Sequence, residues 1–157
     1  MRMIIIGVDH ALQCGNQDLK ALITQTAVKE EITLIAEENR PVSETVARRV
    51  SEEIGIRWIQ VDMSIADRIK AGIDGKLFNR MQLRYDEKGN AVPVSRYAPV
   101  EDGIREEFWL DRIEDVSEDG TVLVICECWH REPLAEKAAK RGHHVVSKFF
   151  TRRTCLT

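Results

Sequence analysis

The sequence has no long apolar run, no strong excess of one charge and no dense set of cysteines. No stretch approaches the roughly 20 apolar residues that a membrane-spanning helix needs. Acidic residues number 26 against 23 lysines and arginines, so no broad basic surface for nucleic-acid binding is expected. The sequence therefore predicts neither a membrane protein nor a general nucleic-acid-binding protein.

The four cysteines, Cys14, Cys126, Cys128 and Cys155, are not spaced like those of a small secreted disulfide framework. Cys126 and Cys128 are interpreted as buried thiols of a core strand, since no second pair completes a zinc site. No secretory signal precedes the first apolar run. These features predict a reduced, cytoplasmic protein.

Three common nucleotide and hydrolase motifs are also missing. The first apolar run is not followed by G-x-G-x-x-G, and neither the phosphate loop G-x-x-x-x-G-K-[ST] nor the nucleophile elbow G-x-S-x-G occurs. A dinucleotide-binding fold with its pyrophosphate loop is therefore not expected.

What the sequence does contain is an alternation of short apolar runs with helical patterns. Strands are predicted at Met3–Val8, Ile32–Glu38, Ile56–Asp62, Thr121–His130 and His144–Phe150. The helices between them include Gln17–Glu30, one that Ser43 caps and Gly55 ends, and one from Pro133 to Gly142. This order predicts a single α/β domain over residues 1–157, with a mainly parallel sheet of about five strands flanked by helices in three layers.

The alternation fails between residues 66 and 100. This segment holds a candidate hairpin, Met81–Tyr85 with Ala91–Tyr97, and is too long for an ordinary connection. Two interpretations stay open at this point, a lid or binding loop and a surface insertion without a role.

The next helix, residues 101–116, places Arg105 and Arg112 inside its apolar arc, away from an acidic face formed by Glu106 and its neighbours. An unpaired buried charge is costly, so both arginines are expected to meet carboxylates or a bound anion. The alternative is that their side chains extend along the surface to water.

Ionisable residues follow the predicted strands. Asp9 and His10 follow the first, Glu37 and Glu38 end the second, Asp62 ends the third, and Glu127 and His130 lie at the end of the fourth. In a parallel sheet these carboxyl ends share one edge, where ligands bind. Each residue alone is also explained as a helix cap or a salt bridge, and Asp9 in particular fits a cap.

As a set, two imidazoles and one or more carboxylates predict a site for Zn, Mn, Fe or Co, with His10, His130 and Glu37, or Glu38 in place of Glu37, as ligands. Glu37 or Glu38 would act as general base, and Arg105 would stabilise a developing oxyanion or hold an anionic substrate. The predicted substrate-binding residues are Arg112, Asp62, Trp129 and Arg68.

The motif Gly7-x-x-His10, the "AEE" strand and the late strand ending at His130 resemble the erythromycin esterase-like, ChaN-like, TraB and Tiki superfamily, in a minimal form. The resemblance implies metal-dependent peptidase activity, ester hydrolysis or haem binding, with His10, Glu37 or Glu38, and His130 at the site. The second motif departs from the family pattern, because Glu127 stands in place of its glycine.

Three functions compete on this evidence. The first is a metal-dependent hydrolase acting on a small molecule or peptide. The second is binding, without turnover, of haem or a small anionic or nucleotide ligand. The third is a protein-interaction module whose polar cluster is structural. Assembly into a homo-oligomer is left open.

Overall fold

A computed structural model describes residues 1–38, 44–73, 99–117 and 119–150, together with the backbone of residues 82–85 and 91–94. In chain order its elements are β1 (Arg2–Val8), α1 (Gln17–Lys29), β2 (Ile32–Glu37), α2 (Val46–Ile54), β3 (Arg57–Gln60), α3 (Ile65–Lys70), β4 (Gln82–Tyr85), β5 (Ala91–Val94), α4 (Pro99–Val116), β6 (Thr121–Glu127), α5 (Arg131–Lys140) and β7 (His144–Phe149). A short 3-10 helix, His10–Leu12, follows β1.

The main sheet has five strands in the order β3-β2-β6-β1-β7, and every neighbouring pair is parallel. The single α/β fold predicted from the alternation is therefore present. Among the described helices, none combines the length and apolar character needed to span a membrane.

Each face of the sheet carries a separate apolar core. The first core lies against α1 and α2 and consists mainly of Ile4, Ile6, Val8, Leu19, Ile23, Ile35, Val46, Val50, Leu123 and Ile125. The second lies against α4 and α5 and consists mainly of Met3, Ile5, Leu34, Ala36, Trp109, Leu110, Ile113, Val122, Val124 and Leu134. Because both faces are covered, the central strands are apolar throughout rather than alternating.

β2 contains a bulge at its start. Ile32 pairs with Thr121 and Leu34 with Val122, so Thr33 is an additional residue without a counterpart in β6. Gly120 provides the room, because a Cβ atom on it would lie 2.5 Å from Thr33 Oγ1.

Several predicted boundaries were wrong. β6 ends at Glu127 rather than at His130, which instead occupies the N-cap position of α5. The N-cap of α2 is Thr45, whose hydroxyl accepts from the backbone of Arg48; the predicted cap Ser43 lies outside the described residues. α2 ends at Gly55, with φ of 72°, as predicted.

Regular structure also enters the segment between residues 66 and 100. α3 begins at its N-cap Ser64, which forms a capping box with Asp67. The predicted hairpin is confirmed, since β4 and β5 pair antiparallel. Residues 74–81, 86–90 and 95–98, which the interpretation as a lid needs, lie outside the described residues.

Candidate functional site

Three neighbouring strands bring ionisable side chains to one point of the sheet edge. β6 lies between β1 and β2. His10 follows β1, Glu38 follows β2 and Glu127 ends β6, so the topology alone places them side by side. The connection from β1 runs to β2, towards the β3 edge, and the connection from the neighbouring strand β6 runs to β7, the opposite edge. Open α/β sheets bind ligands at the carboxyl ends of adjacent strands whose connections run in opposite directions.

His10 is held by contacts at both ring nitrogens. Its Nε2 lies 2.8 Å from Glu127 Oε2 and 3.8 Å from Glu38 Oε1. Its Nδ1 lies 2.8 Å from Gln13 Oε1. The preceding Asp9 is exposed and accepts a hydrogen bond from the backbone of Ala11, so it caps the turn and does not enter the cluster.

Gln13 fixes which nitrogen of His10 faces the carboxylates. The side-chain amide of this buried residue donates to the backbone carbonyl of Glu38 at 3.2 Å. Its oxygen is therefore turned towards His10, where it accepts from Nδ1–H. This leaves Nε2 directed at Glu38 and Glu127.

The carboxylates around His10 change its protonation. Burial disfavours the charged imidazolium, but the hydrogen bond with Glu127, the charge of Glu38 and the contact with Gln13 outweigh burial and raise the pKa of His10 to about 9. At neutral pH His10 is therefore a cation paired with Glu127.

Glu38 is fixed through both carboxylate oxygens. Oε2 accepts from the backbone N–H of Glu127 at 2.8 Å. Oε1 accepts from Arg105 Nη2 at 2.7 Å and lies 3.6 Å from His130 Nε2. Only 4 % of this side chain is exposed, so its position is set by protein contacts rather than by solvent.

Arg105 uses every one of its five N–H donors within the described residues. Nε donates to Asp62 at 3.2 Å, and Nη2 donates to Asp62 at 3.0 Å and to Glu38 at 2.7 Å. Nη1 donates to Asp102 at 2.9 Å and lies 3.2 Å from His130 Nε2. Burial opposes its charge, but Glu38 and Asp62 raise the pKa of Arg105 further above its usual range. These bonds make Arg105 the group that joins the carboxylates together.

Asp62 is the second centre of this network. Besides Arg105 it accepts from Arg68 Nη2 at 2.6 Å and from Trp109 Nε1 at 3.2 Å. Arg68, which was predicted to bind substrate, is buried and also donates to the carbonyl of Met63. Asp62, which lies just after β3, is therefore hydrogen-bonded to α3 through Arg68 and to α4 through Arg105 and Trp109.

His130 is fully buried and is held from α4. Its Nδ1 lies 2.7 Å from Glu106 Oε1, and its ring packs edge-on against Trp109 with centroids 4.8 Å apart. Its Nε2 lies 3.2 Å from Arg105 Nη1 and 3.6 Å from Glu38 Oε1, so His130 borders the group formed by His10, Glu38 and Glu127.

Glu37 points to the other face of the sheet, away from Glu38. Its Oε2 accepts from Thr45 Oγ1 at 2.6 Å and from Trp58 Nε1 at 2.9 Å. Its Oε1 is buried and has no hydrogen-bond partner in the described part of the chain. Burial raises the pKa of Glu37 to about 7, against the effect of the two hydrogen bonds.

The two remaining predicted substrate-binding residues lie at the margin. Trp129 is half-buried, with its ring centroid 6.2 Å from that of His130. Arg112 is exposed and lies over the ring of Phe108, so of the two interpretations its side chain follows the one in which it extends to water. It is seven residues from Arg105, about 10 Å along the helix, and the carboxylates lie at the Arg105 end.

The described residues include a group with the spacing to hold a metal ion, but its membership differs from the predicted one. One ligand atom from each of His10, Glu38 and Glu127 lies within 4.8 Å of the others. Glu38 and Glu127 thus take the places predicted for Glu37 and His130. Sequence reasoning also missed Gln13, Asp102 and Glu106, each of which is buried in this network.

The thiols of β6 and the turn after it do not join the group. Cys126 is fully buried and Cys128 half-buried, and burial raises the pKa of both. Both are therefore neutral thiols at pH 7. Cys126 is a buried thiol of a core strand, as predicted, whereas the same prediction for Cys128 was wrong, because β6 ends before it.

The superfamily resemblance rests on Gly7, His10, the two glutamates at the end of β2 and His130. Of these, His10 and Glu38 lie in the metal-binding group, while His130 lies beside it against Arg105. Comparison of the chain with protein-family models, with curated proteins and with solved structures finds no match, so the superfamily stays a prediction.

Proposed function

We propose that the protein is a metal-dependent hydrolase acting on a small molecule or peptide, with His10, Glu38 and Glu127 as ligands of one divalent cation. The observation that carries the proposal is the direction of His10. Its Nε2 points at Glu127 and Glu38, 2.8 and 3.8 Å away. Gln13 holds the other nitrogen, as an outer partner of a metal-binding histidine does.

The donor set and its spacing both fit a cation. One imidazole and two carboxylates suit Zn, Mn, Fe or Co. Ligand atoms about 2.0–2.2 Å from a shared ion lie about 3–4.4 Å from one another. The atoms here lie within 4.8 Å of one another. Tetrahedral ligand atoms at these bond lengths lie about 3.3–3.6 Å apart, so binding a cation needs side-chain shifts of up to about 1 Å.

Exposure indicates the side from which substrate approaches. Side-chain exposure is 29 % for His10 and 14 % for Glu127, against 4 % for Glu38. Substrate therefore meets His10 and Glu127 first, while Glu38 forms the floor. With three protein ligands, a bound cation would have positions open for a water molecule and would lower the pKa of that water.

Glu127 and Arg105 have separate roles in the proposed reaction. Glu127, the more exposed carboxylate, accepts the proton of the attacking water at the oxygen that His10 does not contact. Arg105 offsets the charge of Glu38 and keeps Oε1 in place. In hydrolysis the water oxygen forms a bond to the electrophilic atom of the substrate, and the bond from that atom to the leaving group breaks. Glu127 then returns its proton to the leaving group, which has taken the electron pair of that bond.

Metal binding is tested by purifying the protein without chelators, measuring its metal content, and titrating Mn²⁺, Co²⁺ and Zn²⁺ by calorimetry. We expect one site, at least tenfold weaker in His10→Ala. His144→Ala is the matched control. His144 is exposed at the start of β7, and the amino ends of the parallel strands lie away from the carboxyl ends that hold His10, Glu38 and Glu127. A wild-type protein that binds none of the three ions, or equal binding by His10→Ala, contradicts the proposal.

Hydrolysis is tested on ester, phosphoester and peptide substrates with the metal-loaded protein. The same titrations separate the alternatives, which stay predictions. A Soret band on addition of haem would indicate binding without turnover. If replacing His10, Glu38 and Glu127 changes only stability, the cluster is structural, as in an interaction module.

A further inference from the structure

A line of polar contacts runs from α5 through α4 to Glu38. Lys137 Nζ donates to Glu106 Oε2 at 2.7 Å, and Glu106 Oε1 lies 2.7 Å from His130 Nδ1. His130 Nε2 lies 3.2 Å from Arg105 Nη1, and Arg105 Nη2 donates to Glu38 at 2.7 Å. Glu106 and His130 are both fully buried.

The contact with Arg105 dictates the tautomer of His130. A guanidinium carries donors and no acceptor. His130 Nε2 therefore accepts from Arg105 Nη1, and the ring proton resides on Nδ1, from which it is donated to Glu106.

A carboxylate at position 106 is well suited to this arrangement. Both of its oxygens accept, one from His130 and one from the ammonium of Lys137. An amide has one accepting and one donating end, so it cannot serve both neighbours in the same way. The ammonium would attract the amide oxygen, and the NH₂ group would then face His130 Nδ1.

We propose that Glu106 is a positioning residue: it fixes the tautomer of His130, and through His130 it sets the orientation of Arg105 and Glu38. The consequence for metal affinity rests on the function proposed above. The consequence for the tautomer does not depend on a metal.

The test compares wild type with Glu106→Gln by ¹⁵N NMR of the imidazole in metal-free protein. In wild type we expect Nε2 unprotonated and Nδ1 protonated. In Glu106→Gln we expect the proton on Nε2, where it opposes the Arg105 donor. The double variant Glu106→Gln with Lys137→Met is expected to restore the wild-type tautomer, because the amide oxygen is released to accept from Nδ1–H.

Titration with Mn²⁺ gives a second measurement. Loss of a direct hydrogen-bond partner of a metal ligand weakens binding by about tenfold to a hundredfold. Glu106 reaches Glu38 only through His130 and Arg105. We therefore expect a smaller loss, about threefold to tenfold, in Glu106→Gln, with recovery in the double variant. Lys137→Met alone should keep both the tautomer and the affinity, since the Glu106 carboxylate remains.

The proposal is overturned if Nε2 carries a proton in wild type, a result that needs no variant to fold. It is also overturned if Glu106→Gln keeps the wild-type tautomer, or if Lys137→Met does not reverse the change. Failure of wild type to bind Mn²⁺ contradicts the proposed function instead, and leaves the tautomer result standing.

Discussion

Ionisation of the buried carboxyl of Glu37 is expected to lower the free energy of unfolding, and replacement of Glu37 measures by how much. It is fully buried in the face of the sheet covered by α1 and α2, and its Oε1 has no hydrogen-bond partner among the described residues. Replacement by Gln keeps the shape and the acceptor that faces Thr45 and Trp58, but removes the titration.

The size of the effect follows from the pKa of Glu37. Burial raises it from 4.5 to about 7, a difference that corresponds to about 3 kcal/mol at 1.36 kcal/mol per pKa unit. Because the folded state holds the proton more tightly, this contribution to stability is fully present below pH 4.5. It decreases as the pH rises and is lost above pH 7.

The assay is urea unfolding of wild type and Glu37→Gln at a series of pH values from 4 to 8. Other titrating groups are shared by the two proteins, so their effects cancel in the difference. We expect the variant to gain about 3 kcal/mol relative to wild type across this range. At pH 4 the two proteins should differ by less than about 1 kcal/mol, because protonated Glu37 carries an O–H and the variant an N–H at the same buried position, each without a partner among the described residues.

Glu132→Gln is the control, since Glu132 is exposed on α5. Parallel stability curves for wild type and Glu37→Gln would refute the assignment of a raised pKa to Glu37.

Three further predictions concern other parts of the structure. Gly55→Ala should lower the free energy of unfolding by about 1 kcal/mol, because Gly55 ends α2 with φ of 72°; thermal unfolding measures this, and an unchanged melting temperature would contradict it. Asp62→Asn should cost about 3 kcal/mol, because it removes the charge that pairs with Arg105 and Arg68; an effect below 1 kcal/mol in urea unfolding would argue against it. Affinity for Mn²⁺ should rise about tenfold per pH unit from pH 7 until it levels near 9, because binding displaces the proton of His10; calorimetry that shows no change over this range would exclude His10 as a ligand.

The fold could be predicted from the sequence because its signals are local. Each central strand is a short run apolar on both faces, and each helix between them has its own stripe and end signals, such as Gly55 and Gly142. The ends of the strands could not be predicted as well as their positions. Apolar and aromatic residues continue from β6 into the turn that holds Trp129, so nothing in the run marks the end of the strand at Glu127.

The burial of Glu106 was within reach of the sequence. At about 100° per residue Glu106 falls about 20° from Ile113, whereas Glu107 and Asp111 fall about 100° or more from Glu106. Glu106 was nevertheless predicted to belong to the acidic face, because a carboxylate is seldom fully buried without a partner. Its partners, His130 and Lys137, lie on another helix and the turn before it, and no local pattern reveals them.

The choice between Glu37 and Glu38 could not be made from the sequence. Both faces of β2 are buried, so the run "ITLIAEE" has no alternation from which to read the direction of either glutamate. The direction depends on how β2 pairs with β6, which is a contact between residues about 90 positions apart.

The bulge at Thr33 has a consequence for how the length of this chain can change. Ile32 faces the first core and Leu34 the second, although two residues of a regular strand separated by one other would share a face. Removal of Thr33 would therefore leave every later side chain of β2 on its present side. Removal of any one residue from 34 to 36 has one of two costs. If the bulge persists, the two glutamates exchange faces. If the bulge is lost, Thr33 moves into the position opposite Val122, where the apolar side chain of Leu34 is now buried. Variation in length is thus tolerable at one end of this strand and damaging two residues further on.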